Sequence, residues 1–331
     1  MSTDPLTFDP PASGRTARSL PPREPLGDAL RALDTILLGK AHALRLCMAC
    51  LIARGHLLIE DVPGVGKTTL AHALARVLGL SWQRVQFTSD LLPADIIGVS
   101  VFDRTTQRFE FRKGPVFTQL LLADEVNRAS PRTQSALLEA MGERQVSVDG
   151  LTHKLPEPFF VVATQNPQEQ LGTFALPESQ LDRFLMRIEL GYPDPRFERM
   201  LLAEPDRREK LDAMPASMTP AQLLQAQHAA QTVHAAPALL DYVQALVAAS
   251  RVRRDVALGL SPRAAQGLLR AARAWALIDG RRSVIPDDVQ AVWAAIAGHR
   301  LQWRDAARSG ASLGARPNIT RELLESVRVP A

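Results

Sequence analysis

"LLIEDVPGVGKTTLAHAL", residues 57–74, joins an apolar run to a loop with two glycines, a Lys-Thr-Thr string and a stretch of helical spacing. Leu57 to Glu60 reads as a strand, Val62 to Gly66 as a loop, and Lys67 as the start of a helix. In that order, the loop N–H groups and the helix N-terminus converge on an anion. Gly64 and Gly66 permit a left-handed backbone and close approach. Pro63, Gly64, Val65 and Gly66 would then wrap the phosphates of ATP. Lys67 would neutralise the β and γ phosphates, Thr68 would ligate Mg²⁺ through its hydroxyl, and Thr69 would lie beside the α phosphate. The strict spacing G-x-x-x-x-G-K-[ST] is broken, because Asp61 stands where the first glycine belongs. A glycine turn that happens to precede Lys-Thr has the same appearance, so a second element has to decide.

That element is "QLLLADEVNRA", residues 119–129, a buried strand ending in adjacent carboxylates. Asp124 is assigned to the metal, and Glu125 to orienting and deprotonating water. The strand carrying them is expected next to the P-loop strand. A third strand, "FFVVATQNP", ends beside Asn166, whose amide could sit between the Walker carboxylate and the attacking water. Asparagine before proline is equally an ordinary turn signal. In "ALPESQLDRFLMRI", Pro177 suits the first turn of a helix that Asp182 and Arg183 close before another strand. A salt bridge within the chain would account for Arg183 as well.

Three zones follow. Residues 1 to 25 hold six prolines and few large apolar residues and are expected to be a mobile tail. From 26 to 193, apolar runs alternate with helical stretches, the pattern of an α/β domain with a mostly parallel sheet flanked by helices. After "GYPDPR", residues 194–307 are rich in Ala, Leu and Arg at helical spacing and read as an all-helical lid, followed by a C-terminal extension over 308–331. The chain has 331 residues, a hydrophobic fraction of 46% and a formal charge of +4. Its pI is near 9.4, with basic residues spread among carboxylates, so nucleic acid is allowed but not implied. No apolar run is long enough to span a bilayer and no secretory signal is visible, so a cytoplasmic protein without membrane insertion is expected. The only cysteines, Cys47 and Cys50, form a C-x-x-C, but in an apolar helix without further ligand spacing they read as core residues.

The strings "EDVPGVGKTTLAHALA", "LLLADEVNRASPRTQSALLEAMGERQV", "VVATQNPQEQLGTFALPESQLDRFLMRI" and "LSPRAAQGLLRAARAWA" resemble the MoxR family of AAA+ ATPases over residues 28 to 307. The resemblance implies a Walker A at Gly64, Gly66, Lys67 and Thr68, a Walker B at Asp124 and Glu125, and a sensor 1 at Asn166. It further implies an arginine finger at Arg183 and a sensor 2 at Arg263. Arg263, after Ser261 as N-cap and Pro262, is then expected to project from the first turn of a lid helix toward the nucleotide. A solvated helix-start arginine is the other reading of that position. The family further implies a homo-oligomeric ring, taken as a hexamer. It also implies a client enzyme that is activated or receives a cofactor, often with a von Willebrand factor A domain partner.

"GVSVFDRTTQRFEFRKGPVF" and "RQVSVDGLTHKL" alternate apolar and polar residues around turns and read as β-hairpins. In related rings, hairpins at these places touch the substrate; packing at a subunit boundary is the alternative. Two other classes compete with a remodelling ATPase. A nucleic-acid motor or transcriptional regulator of the same branch is disfavoured by hairpins poor in Lys and Arg and by the missing "GAFTGA" string. A switch or small-molecule kinase would not need Arg183 and Arg263.

Overall fold

The computed structural model describes residues 23–166, 172–203, 207–304 and 319–330. The chain runs through α1 (Arg23–Ile36), α2 (Ala41–Ile52), β1 (Leu57–Glu60), α3 (Lys67–Val77), β2 (Trp82–Gln86) and α4 (Pro93–Ile97). A hairpin of β3 (Gly98–Asp103) and β4 (Arg108–Lys113) precedes β5 (Leu120–Asp124), a 3-10 turn (Val126–Arg128) and α5 (Pro131–Glu143). A second hairpin, β6 (Gln145–Val148) and β7 (Leu151–Lys154), leads to β8 (Phe160–Gln165), α6 (Glu178–Leu181) and β9 (Met186–Ile188). Then come α7 (Pro195–Ala203), α8 (Arg207–Asp212), α9 (Pro220–Thr232), α10 (Pro237–Val252) and β10 (Val256–Leu258). Last are α11 (Pro262–Ile278), α12 (Pro286–Ala297), β11 (Gln302–Trp303) and α13 (Ile319–Ser326).

Five parallel strands form one sheet in the order β2-β5-β8-β1-β9. Leu120 to Asp124 and Phe160 to Ala163 are buried throughout, as expected of strands covered on both faces. The expectation that the Walker strand adjoins the P-loop strand is corrected here. β8 lies between them, pairing Leu57 with Val162 on one side and Leu122 with Val162 on the other. Hydrophobic periodicity identifies such strands but carries no information on their lateral order, and β8 is apolar enough to fill the middle of the sheet.

Both expected hairpins form. In the second, Asp149 and Gly150 both adopt positive φ, 50° and 78°, which matches the twist of the flanking strands. The hairpins meet where Phe111 stacks on His153 with ring centroids 4.0 Å apart.

His56 fixes the base of β1. Its Nδ1 accepts from Val161 N at 3.0 Å, and its Nε2 donates to Met141 O at 3.2 Å, so the neutral Nε2–H tautomer joins three elements. Burial is the main cause that pushes its pKa down to about 4. The unfolded chain therefore takes up a proton near pH 6.5 that the native state refuses until about 4. The stability that neutral His56 confers is complete above pH 6.5 and is lost as pH falls toward 4. Urea unfolding at pH 7 and 5 should show that His56→Gln removes about 2 kcal/mol of the wild-type pH dependence. Equal slopes for the two proteins would contradict this.

Among the described residues after β9, the chain is helical apart from the short antiparallel pair of β10 and β11 and a single bridge between His234 and Ser283. α11 lies along α2. At its C-terminal end Asp279 pairs with Arg45 at 2.5 Å, and Trp275 packs on His42 and under the Arg45 guanidinium. At its N-terminal end Ser261 Oγ donates to Asp182 Oδ2 at 3.3 Å. Arg300, buried nearby, ties the lid to the base of β9 through Asp182 Oδ1 at 2.6 Å and the carbonyl of Phe184 at 2.6 Å. α13 falls within the segment expected to lie beyond the lid, yet it packs on it. Leu323 is buried and Trp293 Nε1 donates to Thr320 O at 2.8 Å. The N-terminal tail lies outside the described residues up to position 22, and Arg23 to Pro25 already belong to α1. Cys47 and Cys50 are fully buried in α2, and burial pushes the Cys47 thiol up to about 12. Among the described residues no helix is long and apolar enough to cross a membrane.

Candidate nucleotide site

Because the sheet is parallel, Glu60, Asp124 and Gln165 end on one edge, and the residues after them share it. With strands about 4.8 Å apart, the P-loop and Walker strands are separated by about 10 Å. Gly64 and Gly66 take φ of 86° and 97°, and the place where a Gly64 side chain would stand is open. Pro63 and Gly64 are exposed, while Val65 to Thr69 are half-buried. Lys67 Nζ donates to Asp61 O at 2.5 Å and Val62 O at 3.3 Å, so its charge is held on the loop itself. Left-handed glycines, a helix start and this ammonium fit a phosphate chain.

Asp61, the residue that breaks the strict pattern, has a structural task. Its buried carboxylate accepts from Val62 N at 2.8 Å and from Leu190 N and Gly191 N, each at 2.6 Å. Lys40 Nζ holds the same segment from its carbonyl side, donating to Leu190 O at 2.6 Å, Gly191 O at 3.1 Å and Tyr192 O at 2.8 Å. The segment that leaves the sheet for the lid is thus gripped from the P-loop. Asp61→Ala would strip the acceptor from buried N–H groups and should lower stability by about 3 kcal/mol, read by urea unfolding. An unchanged midpoint would show that the tie carries no free energy.

At the end of β5, Asp124 Oδ1 accepts from Thr164 Oγ1 at 2.6 Å, while Oδ2 accepts from Arg84 Nε and Nη2 at 3.1 and 2.7 Å. Thr164 Oγ1 also accepts from Glu125 N at 2.8 Å, so one buried hydroxyl sets both Walker carboxylates. Glu125 has φ 56° and ψ 49°, a left-handed conformation uncommon for a residue with a side chain. Such strain is stored where the surrounding structure over-determines it, often at functional sites. Its Oε2 accepts from Gln86 Nε2 at 2.7 Å and pairs with Arg128 Nε at 2.9 Å. Asn166 is buried at the end of β8, between the P-loop and Walker strands. The oxygens of Asp124 and Thr68 are hard donors that suit Mg²⁺.

Two expected site residues stand elsewhere. Arg183 Nη1 donates to Leu138 O at 2.7 Å, against the later turns of α5 and before β9 begins at the opposite edge of the sheet. Arg263 opens α11 beside Asp182 and within electrostatic reach of His56, at the base of β1. From Arg263 to Asp279, the end of α11 that reaches Arg45, is about 24 Å along the helix. Within one chain, α11 meets α2 near its C-terminal end through Asp279 and Arg45, while its first turn, which carries Arg263, lies by the Ser261 contact to Asp182. Sequence reasoning missed Lys40, Arg84, Gln86 and Thr164, and gave Asp61 no task. Thr164, a hydroxyl in an apolar strand, was the one with a visible signal.

Residues 56–186 match the ATPase family associated with various cellular activities (AAA), and residues 248–320 match the AAA lid domain. The chain is 42% identical to the uncharacterized protein YeaC of Bacillus subtilis, over 92% of this chain and 95% of that one. It is 41% identical to Chaperone MoxR1 of Mycobacterium tuberculosis, over 82% of this chain and 74% of that one. Protein MoxR of Paracoccus denitrificans is 37% identical, over 83% of this chain and 87% of its own length. A crystal structure of a Cytophaga hutchinsonii protein assigned as an ATPase superposes with a TM-score of 0.83 at 34% identity, covering 93% of this chain and 96% of that one. With a P-loop, a paired-carboxylate strand and a helical lid in place, and relatives of this identity along most of its length, the chain belongs to the MoxR family of AAA+ ATPases.

Proposed function

We propose that the protein hydrolyses ATP at sites shared between neighbouring subunits of a ring, taken as a hexamer, and uses the resulting motion to remodel or activate a client protein. The observation that carries this reading is the separation within one chain. Lys67, Asp124, Glu125 and Asn166 gather at one edge of the sheet, whereas Arg183 and Arg263 stand at the other. Both arginines become useful if a neighbour's nucleotide lies against that far edge, which is how a ring distributes its sites.

In this reading Pro63 to Thr69 bind the triphosphate, and Lys67 leaves its loop carbonyls for the β and γ oxygens. Thr68 and Asp124 would hold Mg²⁺, which would offset negative charge on the phosphates. Glu125, released from Gln86 and Arg128, takes the proton of the water that Asn166 helps to position, as that water attacks the γ phosphorus and ADP leaves. Arg183 of the adjoining subunit meets the charge developing on the transferred phosphoryl group. Lys40 and Asp61 join the P-loop to the lid linker, a mechanical path from nucleotide state to lid angle. The paired Phe102 and Phe109, 49% and 74% exposed in the first hairpin, offer an apolar contact to a client.

Light scattering of Glu125→Gln after size exclusion, with and without Mg-ATP, tests the shared site. A nucleotide-dependent mass of several subunits is expected. A monomer that binds ATP tightly under both conditions would overturn the ring.

A further inference from the structure

Away from the nucleotide edge, a cavity of about 220 Å³ opens between the α/β domain and the lid. Four arginines line it: Arg54 and Arg144 from the α/β side, Arg270 and Arg273 from α11. Among the described residues none of the four has a carboxylate within 4.0 Å, although the chain pairs many of its other arginines, such as Arg84, Arg253, Arg281 and Arg300. Arg273 Nε is buried without a hydrogen-bond partner. Burial first, then the charge of Arg54, holds the Arg144 guanidinium below its ordinary range, with exposed Glu157 offsetting part of this. Like charges gathered around a cavity cost free energy unless something negative enters.

The backbone supplies an independent observation. Arg54 follows the end of α2 with φ 58°, and Arg144 caps α5 with φ 54°. Glycine is the residue that ends helices in this conformation without strain. Both helices instead end in arginine, and both arginines point to the same cavity. Neither gains a strong partner for its side chain; the one hydrogen bond between them is Arg144 Nη2 to Arg54 O at 3.4 Å.

We propose that this cavity binds a small phosphorylated anion carrying at least two phosphate charges, which clamps the lid to the α/β domain. Two guanidiniums from each wall suit bidentate capture of phosphate oxygens, whereas a single carboxylate would leave most of the positive charge uncompensated. The amide of Gln231 supplies a further donor on the lid side, while Gln227 Nε2 is committed to Leu51 O at 2.9 Å. The cavity is distinct from the chain's own P-loop, which stands at the opposite edge of the sheet, and a Lys67→Ala background keeps nucleotide sites, own or neighbouring, out of the readout.

The test uses the full chain carrying Lys67→Ala, so that the P-loop no longer competes, with inorganic pyrophosphate as the probe. Calorimetry should detect one site per chain, and pyrophosphate at a hundredfold excess over its Kd should raise the unfolding temperature by about 5 °C. Adding Arg54→Gly and Arg144→Gly should weaken binding at least tenfold. The same pair should make the anion-free protein more stable, because it removes repulsion and left-handed strain together; arginines with a packing role would give the opposite sign. Arg270→Gln, exposed and on the other wall, should reduce binding without affecting folding. A pyrophosphate response seen only when Lys67 is intact, or one that the double glycine variant leaves unchanged, overturns the proposal.

Discussion

Glu125→Gln is expected to hold ATP as tightly as the parent protein and to release phosphate roughly 10² to 10⁴ times more slowly. The amide keeps the shape and the donor contact from Arg128 is weakened rather than removed, but the group can no longer accept a proton from water. Lys67→Ala should behave differently. It deletes the ammonium that the loop carbonyls of Asp61 and Val62 hold at the helix start, and so should lose tight nucleotide binding altogether. Equilibrium binding of a fluorescent ATP analogue, paired with single-turnover phosphate release, separates the two. A Glu125→Gln protein with normal turnover would remove Glu125 as the base, and would direct attention to Asp124, whose oxygens are already engaged by Thr164 and Arg84.

What the sequence made legible follows from how each feature is encoded. The P-loop and its helix were readable because glycines, Lys67 and the apolar strand are adjacent in the chain, and the hairpins because Asp149-Gly150 demands one turn geometry. Asp124 and Glu125 were readable as a pair at the end of an apolar run. The position of β8 between β1 and β5 was not, since parallel strands are joined through distant crossovers and their lateral order leaves no local trace. The grip of Asp61 and Lys40 on residues 190 to 192 spans more than a hundred positions. From the chain alone, Asp61 registers only as a departure from a pattern. Arg84 and Gln86 reach the Walker carboxylates because β2 pairs in register with β5, Gln86 opposite Asp124, and a polar residue in a half-exposed strand gives no hint of such a partner. The direction of α11 decided where Arg263 stands, and helical periodicity is the same for a helix running either way.

Mixing two inactive proteins should restore ATP hydrolysis if the far-edge arginines act on a neighbour. An arginine finger is worth roughly 10³ to 10⁵ in rate, or about 4 to 7 kcal/mol of transition-state stabilisation, so Arg183→Ala alone should fall to near background. Its own Lys67, Asp124 and Glu125 remain intact. Glu125→Gln has the complementary defect, with an intact Arg183. At a mixed boundary where the Glu125→Gln subunit supplies Arg183 to the nucleotide of an Arg183→Ala subunit, every group is present once, and hydrolysis returns there. Rings mixed at equal proportion should therefore recover about a quarter of the wild-type boundaries by random assortment. Arg263→Ala mixed with Glu125→Gln should behave in the same way, because Arg263 shares the edge of the sheet with Arg183 and lies far from the P-loop of its own chain. A rescue for Arg183 but none for Arg263, in rings shown by mass to have mixed, would confine the shared site to the finger and leave Arg263 an exposed arginine in the first turn of α11. Failure of both would mean that each chain completes its own site, which requires the lid to swing α11 across the whole depth of the sheet, breaking the Arg300 and Ser261 contacts to Asp182 on the way.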